Sequence, residues 1–250
     1  MDQGLQNLLD ENPELYEIVY YAPAEKTARL CKRMFVKYLP EYPESILDMG
    51  CGTGKHLTLL KANHTEIWGI DENEELIAYA RRHHSKVNFQ VGDICNLHMG
   101  KRFDVITCMR STFMYALKHD DIEKVLSTFA AHAKDGTLLV LDIRNAASFL
   151  GGGEAKLDNE FSVDTGTFKA TAQVEQSFDR RNQLLIRRRT WNIPGREEIE
   201  DTTMYRMFFP LEIEQLLRSH GFIVAGMFDN EELKPSDLSG TRLYIAAKFK

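Results

Sequence analysis

The chain has 250 residues, 43% of them hydrophobic and 27% charged, with a formal net charge of −6. This is enough to bury a substantial core as one large domain or a domain with an insert, and the acidic balance argues against a nucleic-acid substrate, which calls for a basic face. No apolar run is long enough to span a bilayer, and Met1 to Asn12 is polar and acidic, so neither a membrane span nor a signal peptide is expected and the expected location is cytoplasmic.

Over residues 14–39, Leu15, Ile18, Val19, Leu30, Met34, Phe35 and Tyr38 recur at helical spacing and Ala22-Pro23 interrupts them. Two short helices are expected, forming a cap over residues 1–40. Ile46, Leu47 and Met49 then have the apolar character of a buried parallel strand, while Gly50, Gly52 and Gly54 let the backbone turn sharply with nothing blocking a ligand. Residues 55–60 start a helix. A strand, a glycine turn and a helix make the opening βα unit of a doubly wound nucleotide-binding sheet.

A second strand over 66–70 ends in Asp71, near the roughly 20-residue offset of an acid that binds a ribose diol. A third, 87–91, ends in Gly92-Asp93-Ile94, and a fourth, 103–108, ends in Met109-Arg110. A helix over 120–132 and a turn at Lys134-Asp135-Gly136 lead into a fifth strand, Leu138 to Asp142. Polar residues thus gather at the carboxyl ends of the strands, where open α/β sheets bind ligands.

From Ala147 the pattern changes. Gly151-Gly152-Gly153 is a flexible break, and residues 167–178, 183–193 and 197–209 alternate or carry β-branched and aromatic side chains, with turns at Asp179-Arg180-Arg181-Asn182 and Pro194-Gly195. The expectation is an antiparallel β insert, 151–209, forming a substrate lid. A helix over 210–220 and strands over 222–228 and 243–249 then complete the core sheet, giving expected boundaries of 1–40, 41–150, 151–209 and 210–250.

Arg187-Arg188-Arg189 reads as a solvated strand face, and His83-His84 as solvated residues at the end of a charged helix. The cysteines Cys31, Cys51, Cys95 and Cys108 have no paired spacing, which suggests a reducing compartment, and no metal is expected.

The glycine turn itself separates cofactor classes. A dinucleotide fingerprint spaces its last two glycines by two residues and leaves the turn open for a pyrophosphate, whereas Asp48 precedes these glycines and would repel one. A carboxylate there suits a cofactor bearing an ammonium and a sulfonium. A phosphate-binding Walker loop is excluded because Gly54-Lys55 is followed by His56 and the four-residue spacer is missing.

With Asp48-Met49-Gly50-Cys51-Gly52-Thr53-Gly54, Asp71 and Asp93 in place, residues 44–143 resemble the class I S-adenosylmethionine-dependent methyltransferases. The resemblance implies a doubly wound, Rossmann-like α/β fold and S-adenosylmethionine as cofactor. It implies cofactor binding by Tyr21, Asp48, Gly50, Cys51, Gly52, Gly54, Asp71, Asp93, Ile94 and Met109, with Asp71 on the ribose and Asp93 on the adenine amino group. A cationic sulfur also favours aromatic walls, for which Tyr16, Tyr20, Tyr21, Phe113 and Tyr115 are candidates.

Tyr16-Glu17-Ile18-Val19, the His56-Leu57 pair behind the glycines, Ser111 to Tyr115 and the insert together resemble the bacterial N,N-dimethyltransferases of nucleotide-linked amino sugars. That resemblance implies Tyr115 as the catalytic base or amine-orienting group. It also implies a diphosphate-holding role for Arg242, because Ser239-Gly240-Thr241-Arg242 is similar to the family's late Ser-Gly-Arg segment with one residue added. The substrate-binding candidates are therefore Tyr16, Arg110, Tyr115, Arg144 and Arg242.

Two features depart from the family. Asp142-Ile143-Arg144-Asn145-Ala146 stands where the sugar enzymes have an aromatic-rich segment, and Arg110 replaces an apolar residue. Arg110 and Arg144 suit an acceptor carrying carboxylate or phosphate, unless each pairs with a neighbouring acid such as Asp142. The expected partners are a small-molecule substrate and a second copy of the chain, with neither nucleic acid nor membrane. An oxygen or carbon acceptor, and a cofactor-binding protein that transfers no methyl, stay open as alternatives.

Overall fold

The computed structural model describes residues 9, 11–19, 21–62, 64–150, 160–164, 166 and 168–250. A seven-stranded sheet runs in the order β10-β11-β5-β4-β1-β2-β3. Its strands are β1 (Ser45–Met49), β2 (Glu66–Asp71), β3 (Asn88–Val91), β4 (Phe103–Cys108), β5 (Ala133–Arg144), β10 (Phe222–Phe228) and β11 (Arg242–Phe249). β1 pairs in parallel with β2 and β4, β2 with β3, and β4 with β5. β11 is antiparallel to both β5 and β10. Because the chain moves outward through β2 and β3 and returns to β4 on the other side of β1, a crevice opens at the carboxyl ends of β1 and β4, the ligand site of open α/β sheets.

Helices cover both faces, which is why β1, β4 and β5 read as near-continuous apolar runs. On one side α2 (Tyr21–Tyr38), α3 (Lys55–Leu60) and α4 (Glu74–His83) bury Met34, Phe35, Leu57 and Ile77 against Ile46, Ile67 and Val105. On the other, α5 (His119–Ala131) and α6 (Pro210–Ser219) bury Phe129, Leu126 and Ile213 against Leu47, Ile106 and Leu139.

The insert is a four-stranded antiparallel sheet ordered β6 (Glu160–Asp164), β7 (Lys169–Asp179), β8 (Leu184–Asn192) and β9 (Ile199–Arg206). Its inner face packs two ways. Leu185 joins the central core with Phe208, whereas Trp191, Ala172 and Ile193 pack with Leu9 and Leu15 beside α1 (Pro13–Val19). The amino-terminal cap and the lid, expected as separate parts, therefore share a core of their own.

Several local expectations change. The cap's second helix spans 18 residues and contains Pro23, which sits in its first turn where the missing N–H has no intrahelical acceptor to lose. The turn at Lys134-Asp135-Gly136 lies within β5 as a register shift against β4, with Gly136 at φ +80°. β6, a short edge strand, lies before the first expected strand of the insert. Arg187 and Arg189 are not on a solvated face: they share the inward face of β8 with the fully buried Leu185 and Trp191, and only Arg188 points outward. Arg189 is paired with the buried Asp201 at 2.5 Å. His84 is also drawn inward, meeting Glu17 at 3.3 Å, while His83 is exposed. No helix among the described residues is long and apolar enough to cross a membrane.

Candidate active site

The glycine turn after β1 is held by backbone bonds to the neighbouring strand, since Gly50 and Cys51 both donate to the Ile70 carbonyl, at 2.8 and 2.9 Å. Gly50 and Gly52 have φ of +81° and +57°, values that L side chains rarely adopt. Space excludes side chains as well: a Cβ on Gly50 would fall 2.1 Å from Thr112 Cγ2, and one on Gly52 would fall 2.6 Å from Tyr16 Oη. α1 thus brings Tyr16 directly over the turn.

Asp71 ends β2 beside it. Its Oδ2 accepts the Gly52 amide at 2.8 Å and its Oδ1 the Asn73 amide at 3.0 Å. A carboxylate offers about four lone-pair positions, so two remain, the number that a ribose diol needs. Burial raises the Asp71 pKa above its ordinary 3.8 and the Asp48 charge adds to this, while the two amide bonds act against it.

A cleft of ≈ 1340 Å³ opens here. On the side of the glycine turn it is lined by Gly50, Cys51, Asp71, Gly92, Ile94 and Met109, all but Gly92 among the expected cofactor residues. On the other side stand Tyr16, Arg110, Thr112 and Tyr115 with Thr203 and Tyr205 of the lid. The Arg110 guanidinium lies 5.8 Å from the Tyr16 ring centroid, bringing together side chains from β4's end and α1. Tyr115 is 36% exposed, and its hydroxyl is 3.5 Å from that of Tyr205. Its ring is therefore not a buried core aromatic.

Other expected residues stand elsewhere. Asp48 is fully buried, with Oδ2 3.0 Å from His56 Nε2 and Oδ1 accepting from Thr107 at 2.5 Å, and it does not line the cleft. His56, not Asp48, lines the cleft. Asp93 accepts from the Cys95 amide at 2.8 Å and the Asn96 amide group at 3.3 Å, between cleft-lining Gly92 and Ile94. Gly52 and Gly54 shape the turn without lining the cleft; Gly54 precedes α3 in a left-handed conformation. Phe113 is wholly buried against Phe208, at 5.1 Å between centroids, and forms no wall. The Tyr21 side chain and all of Tyr20 lie outside the described residues.

The acid Asp142 pairs with neither Arg110 nor Arg144 but with Arg242, at 2.5 Å. Its other oxygen accepts the Arg110 backbone amide at 3.1 Å, and its carbonyl accepts the Ser111 amide at 2.8 Å. These contacts hold Arg110 and Ser111 at φ +57° and +71°, two consecutive non-glycine residues in the left-handed region. Such strain persists only where surrounding contacts over-determine it. The Asn145 amide group fixes the following segment by donating to the Leu238 and Gly240 carbonyls at 2.7 and 2.8 Å. Neither Arg144 nor Arg242 lines the cleft; the Arg144 guanidinium lies 5.5 Å from the Tyr205 ring centroid, burial brings its pKa down to about 10, and the Arg187 and Arg242 charges act in the same direction.

Sequence reasoning missed Tyr205, Thr203 and Thr112. The first two were legible in the alternation of the third expected lid strand, once its inward face was assigned.

Residues 46–136 match the family model described as Methyltransferase domain. Over these residues the chain is similar to S-adenosylmethionine-dependent methyltransferases. The chain is 35% identical over 104 residues, 42% of its length and 41% of the relative's, to a dTDP-4-amino-2,3,4,6-tetradeoxy-D-glucose N,N-dimethyltransferase of Saccharopolyspora spinosa. It is 31% identical over 138 residues, 52% of each chain, to a dTDP-3-amino-3,6-dideoxy-alpha-D-glucopyranose N,N-dimethyltransferase of Streptomyces fradiae. The matched stretch spans about half the length of these curated relatives or less. In fold, the likeness extends over the whole chain. An S-adenosylmethionine-dependent methyltransferase from Clostridium acetobutylicum superposes with a TM-score of 0.77 at 18% identity, covering 97% of this chain and 99% of that one. An amino pentose methyltransferase from Micromonospora echinaspora superposes with a TM-score of 0.72 at 19% identity, covering 99% and 100%.

Proposed function

We propose that the protein transfers the methyl group of S-adenosylmethionine to the amine nitrogen of a small molecule, with nucleotide-linked amino sugars as the leading acceptor class. The observation that carries the reading is the arrangement of the cleft: a ribose-competent carboxylate and glycine turn on one wall, and the Tyr115–Tyr205 hydroxyl pair on the other. When bound, the cofactor supplies an activated methyl on a cationic sulfur. The chain's own tasks are then alignment, exclusion of water and acceptance of a proton.

In this reading Asp71 holds the ribose, and Gly50, Cys51, Ile94 and Met109 wall the cofactor. Asp93 stands by the adenine, and Gly52 and Gly54 set the path of the turn. Asp48 acts through His56 and Thr107 by fixing the floor of the turn. Tyr16 and Arg110 close the cleft between the two sides. Alignment of nucleophile and methyl alone supplies roughly 7–11 kcal/mol of the barrier reduction. An ammonium has no lone pair to attack with, so the acceptor gives one proton to solvent before attack, by way of Tyr115 or a water on it, and Tyr115 orients the resulting amine by accepting its N–H hydrogen bond, with Tyr205 as its hydroxyl partner.

The relatives named above act on dTDP-linked amino sugars, which supports an amine on an anionic carrier as the acceptor. The test is a screen for S-adenosylhomocysteine release over nucleotide-linked amino sugars, amino acids and phenols. Release with an amino sugar and not with the phenols is expected; release with phenols alone would overturn the nitrogen assignment.

A further inference from the structure

His56 lines the cleft although its side chain is only 7% exposed. It is the second residue of α3, behind the glycine turn, and its Nε2 lies 3.0 Å from Asp48 Oδ2. A carboxylate oxygen can only accept, so Nε2 carries the hydrogen and donates it. In the neutral ring Nδ1 then keeps a lone pair, because the bond made by one ring nitrogen sets the state of the other. Nδ1 has no hydrogen-bond partner among the described residues. Nor is it sealed off, since the buried side-chain atoms without a partner are Arg144 Nε, Gln176 Oε1, Gln183 Oε1 and Arg187 Nε. An unpartnered atom outside that group reaches open space, and the open space beside His56 is the cleft.

Behind the ring every link is made. Thr107 of β4, the register partner of Asp48, donates to Asp48 Oδ1 at 2.5 Å. Thr107, Asp48 and His56 therefore form a relay from the sheet interior to the cleft wall, and its free end is a lone pair. Charge at that wall is negative. Burial pushes the thiol of cleft-lining Cys51 well above the usual thiol range, and the Asp71 and Asp48 charges push it in the same direction. A lone pair in a negative field suits a cation that only donates. An ammonium is such a group, whereas a carboxylate would face a lone pair and like charge together.

We propose that His56 Nδ1 accepts a hydrogen bond from the α-ammonium of S-adenosylmethionine, and that Asp48 is a positioning residue, fixing the ring and lending its charge from behind. The proposal rests on the cofactor reading of the cleft, and it moves the ammonium contact from Asp48, where sequence position puts it, to the residue that reaches the cleft. It also gives His56 a task in alignment. The sulfur lies between the amino-acid chain and the ribose, so an anchor at His56 and another at Asp71 hold it from both sides. Fixing the sulfonium in this way contributes to the near-attack geometry that methyl transfer requires. If His56 served only to satisfy the buried Asp48, loss of Nδ1 would go unnoticed by the cofactor.

The test is calorimetry on the full chain with S-adenosylhomocysteine, with 5′-methylthioadenosine, which lacks the amino-acid end, and with two S-adenosylhomocysteine analogues in which hydrogen replaces the amino group or the carboxyl group. His56→Gln keeps a donor for Asp48 and puts no acceptor at Nδ1. The unaltered protein is expected to bind S-adenosylhomocysteine at least about tenfold more tightly than the deaminated analogue, in line with a hydrogen bond to a charged group. In His56→Gln that preference should fall to within about twofold, while 5′-methylthioadenosine binds as before. Asp48→Asn should lower the same preference, a change in ratio that a merely structural role would not produce. A full preference retained in His56→Gln would overturn the proposal. So would loss of the preference over the decarboxylated analogue instead, which would mean a charged imidazole donating to the carboxylate. Should His56→Gln not fold, His56→Leu and Asp48→Asn take its place, and an undiminished preference in both overturns the contact equally. Equal affinity of the unaltered protein for S-adenosylhomocysteine and its deaminated analogue refutes the His56 contact alone, whereas binding of neither S-adenosylhomocysteine nor 5′-methylthioadenosine refutes the cofactor reading itself.

Discussion

Asp71→Ala removes the carboxylate on which the cofactor reading depends most. Asp71 already accepts the Gly52 amide at 2.8 Å and the Asn73 amide at 3.0 Å, leaving about two of its four lone-pair positions for hydroxyl donors. A hydrogen bond to a charged acceptor is worth about 1.5–3 kcal/mol net. Burial of Asp71 makes its charge costly, so the two ribose bonds together are assigned the value of one. S-adenosylhomocysteine binding should then weaken by roughly 1.5–3 kcal/mol, or about 13–160-fold in Kd. Loss of the carboxylate also orphans the Gly52 and Asn73 amides, so the melting temperature should fall as well. Asp71→Asn keeps one acceptor oxygen for the turn and should recover part of the stability while its affinity stays reduced. Calorimetry on both variants, with thermal melts alongside, gives the answer. Wild-type affinity in a folded Asp71→Ala protein would remove Asp71 from the site.

Tyr115→Phe should lower turnover by roughly one to two orders of magnitude while leaving S-adenosylhomocysteine affinity unchanged; full turnover in the variant would end the role given to its hydroxyl. Because burial holds the Asp71 pKa above 3.8, product affinity should fall as pH drops through that raised value, while the ligand-free protein gains stability from this group on the same descent, since the folded state binds its proton more tightly than the unfolded one. Asp71→Ala should lose both effects, and an identical pH profile in the variant would contradict the assignment. Trp191→Ala should cost about 3–5 kcal/mol of stability, because its wholly buried ring packs the lid onto the residues beside α1 and its Nε1 donates to Asp201 at 2.7 Å. Urea denaturation measures this, and a loss below about 1 kcal/mol would mean that the lid and cap do not depend on one another.

The sheet and the glycine turn were legible because each carries a local signal. Ile46 to Met49 can satisfy only a buried strand, and glycines at positions 50, 52 and 54 announce a backbone that other residues cannot follow, as the left-handed angles and the nearness of Thr112 and Tyr16 bear out. The lid's later strands were legible from alternation. What local pattern could not give was the partner of each polar group. Asp48 reads as a ligand-facing acid by position alone, yet its oxygens go to His56, one helix later, and to Thr107, its register partner on the adjacent strand β4 and 59 residues on in sequence. Asp142 lies near Arg144 in sequence but pairs with Arg242 across the antiparallel β5–β11 ladder, a contact fixed by tertiary register. The left-handed backbone at Arg110 and Ser111 had no sequence signal, since neither residue is glycine and the strain is imposed by Asp142 from a neighbouring strand. Arg187 shows the limit of composition: three consecutive arginines look solvated until the strand's inner face is known.

The central claim is that the cleft moves a methyl group from sulfur to nitrogen. It is tested most directly by incubating the protein with S-adenosylmethionine carrying a ¹³C methyl and a nucleotide-linked amino sugar, and following the label by NMR. The account expects the sulfonium-methyl signal to decay as an N-methyl signal grows at the same rate. A label that appears on oxygen or carbon, or that stays on sulfur while S-adenosylhomocysteine binds with full affinity, would contradict it.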